Sequence, residues 1–80
     1  MMNTFPRREI VMELRSVYPA GCRVELVQMD DPQAPPIGTL GTVRGVDSAG
    51  SIMVAWDNGS SLSVVYGVDC CRRTCKEDAR

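Results

Sequence analysis

The chain contains no histidine. That removes the side chain that most often acts as a general base near neutral pH and most often ligates metals. Serine–histidine–aspartate and cysteine–histidine arrangements are therefore impossible within one chain. Aromatic residues are scarce, limited to Phe5, Tyr18, Trp56 and Tyr66, so each is expected to anchor the core or to mark a contact surface. Neither sign of charge dominates, because nine basic and ten acidic groups leave a net charge of −1. Non-specific binders of duplex nucleic acid usually carry a basic excess, so this balance argues against that class while leaving room for a local patch. No apolar run approaches the roughly 18 residues of a membrane span. The N-terminal stretch MMNTFPRREIVMELRSVYP is interrupted by arginines and glutamates and lacks the ~7–15-residue apolar core of a secretory signal. The expected location is cytoplasmic, where the four cysteines default to thiols.

What is present is a run of short apolar strands punctuated by glycine. Eighty residues form one domain with a small core, burying roughly 60–65% of the unfolded surface. Residues 6–17 are predicted to form a helix, with Thr4 as its cap and Pro6 in its first turn. Ile10, Val11, Leu14 and Val17 recur at three- and four-residue spacings and make one apolar stripe. Pro19 stops the helix. Five strands are expected after it, at residues 22–27, 39–46, 51–56, 61–65 and 71–74. Alternation places Val24, Leu26, Val43, Ile52, Val54 and Leu62 in the core. Trp56 continues the inward Ile52–Val54 face, and Tyr66 falls on the surface. Met29–Gly38 carries Pro32, Pro35 and Pro36 and reads as a long stiff loop. Asp57-Asn58-Gly59 reads as a tight reversal with positive φ at Asn58, Gly59 or both. Tyr66–Asp69 reads as a single 3₁₀ turn. The predicted class is mainly β: a small SH3-like five-strand barrel preceded by one short N-terminal α-helix. The divisions are a helical region at 1–19, the barrel at 20–75 and a flexible tail at 76–80.

Several motifs in combination resemble the domain of unknown function 4314 family. They are Tyr18-Pro19 with Gly21, Met29-Asp30-Asp31-Pro32, Gly41-Thr42-Val43 with Val46-Asp47, Trp56-Asp57-Asn58-Gly59, and Gly67-Val68-Asp69. The similarity spans Arg15 to Asp69. It implies a small bacterial β-barrel without a known activity, of a kind often associated with mobile elements and phage.

The residues themselves offer little chemistry. Asp30, Asp31, Asp47, Asp57 and Asp69 all fall in or beside turns, where aspartate caps backbone amides. A zinc site would need Cys22, Cys70 or Cys71, and Cys75, but these lack the closely spaced ligand pairs of structural zinc sites. Cys22 is expected to be a small buried hydrophobe, and one of Cys70 and Cys71 to be buried with the other exposed. No catalytic, cofactor or metal residues are assigned. The leading expectation is a non-catalytic module that binds an unidentified protein. Its candidate partner surface comprises Asp30, Asp31, Tyr66, Asp69, Arg72 and Arg73, on the Met29–Gly38 loop, the Tyr66–Asp69 turn and the last strand. The alternative is a nucleic-acid-binding accessory protein of a mobile element, using Arg23, Arg44, Arg72 and Arg73. Dispersed, acid-paired arginines would favour the first reading, and convergent ones the second.

Overall fold

The computed structural model describes residues 8–74. Thr4, Pro6, Cys75 and the tail lie outside them. Helix α1 spans Arg8–Val17 and buries Val11, with Leu14 half-buried beside it. Ten residues are too few for a stable isolated helix, so docking must hold it. Val11 joins the core, and Arg15 Nε donates to the Val46 carbonyl at 3.0 Å.

Five strands follow: β1 Arg23–Gln28, β2 Leu40–Val46, β3 Ser51–Trp56, β4 Val64–Val65 and β5 Cys70–Arg73. They form one antiparallel sheet in the order β4-β3-β2-β1-β5. The predicted barrel is not closed, since β4 and β5 are the two edges and share no ladder. Neighbours in sequence pair along the meander, and β5 returns to the free side of β1. Two bulges interrupt the ladders. Arg44 is the extra residue of β2 opposite β3, and Val27 is the extra residue of β1 opposite β5. Bulges bend a strand and increase its twist.

The core consists of Val11, Val24, Leu26, Val43, Val46, Ile52, Val54, Trp56 and Val64. Five of the six expected core residues are there. Leu62 is the exception: it is half-buried, and Val64 occupies the deep position. The expected strand at 61–65 is correspondingly reduced to Val64–Val65. The reversal before it is nevertheless tight. Trp56 N donates to Ser60 O and Gly59 N to Trp56 O, both at 2.9 Å. Ile52↔Val64 and Ser51↔Val65 continue the register that Trp56 and Ser60 begin. Between them, Ser61–Ser63 leave the ladder, and the Leu62 carbonyl instead accepts the Trp56 indole N–H at 2.8 Å. The buried indole thus satisfies its donor and draws the chain out of the sheet.

Gly59 has φ +96°, while no non-glycine residue among those described has positive φ. A Cβ on Gly59 would meet nothing within 4 Å. Gly59→Ala should therefore cost about 1–2 kcal/mol through backbone strain alone, with Gly59→Asn milder. Urea melts of both variants test this, and an alanine variant as stable as wild type would contradict it.

Candidate functional site

The predicted surface loop and turn meet because of strand pairing. Gln28 pairs with Cys70 at one end of the β1–β5 ladder, so the residues after β1 lie beside those before β5. Met29, Asp30 and Asp31 border a groove of about 400 Å³ whose opposite wall includes Leu62, Val68 and Asp69. Three of the six candidate residues, Asp30, Asp31 and Asp69, are brought together here. Val68 is 67% exposed, the most open of the large apolar side chains described. Met29, Leu62 and Val68 were missed as site residues. Only the position of Met29 next to Asp30 and of Val68 inside the turn could have signalled them.

The turn is built by its own hydrogen bonds. The Val65 carbonyl accepts Val68 N at 3.0 Å and Asp69 N at 2.9 Å, and Asp69 Oδ2 accepts Val65 N at 3.0 Å. Asp31 Oδ1 accepts Gln33 N at 2.8 Å, and Asp47 Oδ1 accepts both Ala49 N and Ser51 N. Three of the five turn aspartates thus bind backbone amides, as the sequence leads one to expect. Asp57 does not. Asn58 binds the amide of Ser60 in its place, freeing the Asp57 carboxylate for Arg23.

Tyr66 is exposed and faces the helix, lining a cleft with Ile10, Leu14, Val17 and Tyr18. Arg72 and Arg73 are not part of the loop–turn groove. Arg72 Nε and Nη2 both donate to Glu25 Oε1, at 2.9 and 2.7 Å, across the β1–β5 pair. Arg73 Nη1 donates to the Val17 carbonyl at 3.2 Å, which suits a cation at a helix C-terminus. Arg23 makes a two-pronged pair with Asp57 at 2.9 and 2.6 Å and also reaches Thr42 Oγ1. The hydrogen bond from Arg23 holds the Asp57 carboxyl below its ordinary pKa. Arg44 is exposed and borders a separate groove with Met53, Ser61 and Ser63. The four arginines are therefore dispersed, and three of them are engaged within the protein.

The strand alternation holds in direction, with Cys70 exposed, but Cys71 is half-buried where full burial is expected. Cys22 is half-buried and packs against the core. Burial, followed by the neighbouring Cys22, pushes the Cys71 thiol up to about 11. Burial also raises the Tyr18 phenol, reinforced by Cys71, whose carbonyl accepts the Tyr18 hydroxyl at 3.4 Å. The thiolate is the reactive form of cysteine, so Cys71 is a poor nucleophile at neutral pH. Brief alkylation with iodoacetamide at about pH 8 should label Cys70 well ahead of Cys71, as read by peptide mapping. Equal labelling would contradict this assignment. Among the described residues, no three cysteine or carboxylate side chains are grouped to hold a metal ion. No helix among them is long and apolar enough to cross a membrane.

These features define a small, mainly β domain: one antiparallel five-stranded sheet, one docked helix, and a groove where a proline-rich loop meets a capped turn. The chain belongs to the family described as Domain of unknown function (DUF4314), whose model matches residues 7–74. The match takes in both α1 and β5, beyond the segment where the sequence motifs lie. No curated protein matches the chain, and no solved structure does.

Proposed function

We propose that the protein is a non-catalytic interaction module whose open sheet follows the strand order of an SH3-like barrel and whose partner is another protein. A four-strand meander, a short turn and a last strand returned to β1 support that architecture. The observation that carries the functional reading is the convergence of the Met29–Gly38 loop and the Tyr66–Asp69 turn on one groove beside the exposed Val68. Turn aspartates occupied with backbone amides, and a thiol held protonated, favour binding over catalysis. A bacterial setting within a mobile-element pathway rests on the family resemblance alone. The alternative, nucleic-acid binding through Arg23, Arg44, Arg72 and Arg73, is less well supported. Arg23 and Arg72 hold carboxylates and Arg73 holds a helix end, so little of their charge is left for phosphates.

The test is affinity capture from lysate of the native host with the full chain and with Val68→Ser. Proteins retained by wild type and lost with Val68→Ser support the reading. Recovery of nucleic acid in place of protein, or of the same proteins with both baits, refutes it.

A further inference from the structure

The grooves of this molecule are segregated by charge. Those bordering the Tyr66–Asp69 turn are lined by Asp30, Asp31 and Asp69 on one side and by Glu13 and Asp69 towards the helix. Among the described residues, no lysine or arginine lines them. The groove under the other flank of α1 is lined by Arg8 and Arg15, and the one beside Ser61–Ser63 by Arg44, with no carboxylate from the described residues in either.

The acid-rimmed face also carries exposed hydrocarbon, from Val65, Tyr66 and Val68. Lysine and arginine side chains match such a surface well. Their aliphatic stems cover apolar area while their charged heads reach outward to carboxylates.

The backbone of the nearby edge strand limits how a partner can bind. An edge strand ordinarily offers free N–H and C=O groups to an added strand. The Val65 N–H is taken by the Asp69 carboxylate, and the Val65 carbonyl by the amides of Val68 and Asp69. A ladder cannot be extended from Val65 without breaking the turn. Recognition here has to run through side chains.

Resting on the interaction reading above, we infer that the face around Tyr66–Asp69 takes a basic segment of a partner protein. Its lysine or arginine stems lie on Val65 and Val68, their heads reach Asp30 and Asp31, and it adds no strand to β4.

A displayed library of random peptides, selected on the immobilised full chain, tests this directly. Enriched peptides should carry lysines or arginines next to an aliphatic or aromatic residue. A synthetic representative, titrated by fluorescence anisotropy, should lose about tenfold or more in affinity when salt rises from about 50 to about 500 mM. The Asp30→Asn, Asp31→Asn double variant should bind it comparably weakly while melting like wild type, because asparagine keeps the acceptor that Asp31 offers to Gln33. Enriched peptides without basic residues, but dependent on Val68, would overturn the charge assignment and leave the interaction reading intact. No enriched peptide at all, or binders indifferent to both Val68→Ser and the aspartate variants, would overturn both.

Discussion

Leu26→Ala is expected to unfold most of the protein at urea concentrations where wild type stays folded. Leu26 is fully buried in β1, the strand that pairs with both β2 and β5. Truncating a buried leucine costs about 2–5 kcal/mol, from lost transfer energy and from the cavity left behind. A chain of this length has a total stability of roughly 4–12 kcal/mol, so the loss is a large share of it. Leu62→Ala should be far milder, within about 1 kcal/mol, because its half-buried side chain borders the loop–turn groove. Urea unfolding followed by the fluorescence of buried Trp56 separates the two variants. Comparable midpoints for them would show that the segment after Gly59 packs differently from the arrangement described.

Gly41→Ala should be more damaging than Gly59→Ala, and for a reason other than backbone angle. A Cβ there would lie 2.6 Å from Val54 Cγ1, 2.8 Å from Trp56 Cε3 and 3.0 Å from the Ala55 carbonyl oxygen. The side chains could shift at some cost, but the carbonyl belongs to the β2–β3 ladder, where Gly41 pairs with Trp56. Overpacking of this kind costs about 1–3 kcal/mol or more, and the fixed carbonyl places Gly41→Ala at the upper end. Trp56→Phe removes one of the three obstacles, so the pair should be less destabilised than the sum of the single variants. Strict additivity in a double-mutant cycle of urea melts would contradict direct contact between the two positions.

Local patterns were readable from the residues themselves. Period-two alternation identified Val24, Leu26, Ile52 and Val54 as core, and the Asn-Gly pair located the reversal into the β4 hairpin. The alternation puts Leu62 in the core, whereas it is half-buried in a segment that leaves the ladder, and Val64 takes the deep position. Nothing local reveals that the Trp56 indole draws the Leu62 carbonyl and lifts the chain from the sheet. Part of the site was legible because Asp30, Asp31 and Asp69 sit in recognisable turns. Their proximity depends on the β1–β5 register, which brings together residues distant in sequence. The same register engages Arg72 and Arg73, both candidates for the partner surface, within the protein. Their partners, Glu25 and the Val17 carbonyl, lie on β1 and α1, and no spacing rule connects them. Gly41 was unreadable for a similar reason, since its crowding comes from across the sheet.

The two bulges have a consequence for how the chain can change length. In β2, Gly41 and Val43 face inward, and the extra Arg44 resets the alternation so that Val46 faces inward too. In β1, Val24 and Leu26 face inward, and the extra Val27 lets Met29 pack against the core. Deleting the extra residue itself would restore a regular ladder with the same inward side chains, whereas inserting or deleting one residue in a bulge-free strand such as β3 would turn its later inward side chains towards solvent. The Met29–Gly38 loop and the Ser61–Ser63 segment lie outside the ladders and impose no such parity. Single-residue changes of length therefore leave the sheet in phase when they remove a bulge residue or fall in these outside segments, and the latter border the groove, where the surface can be remodelled.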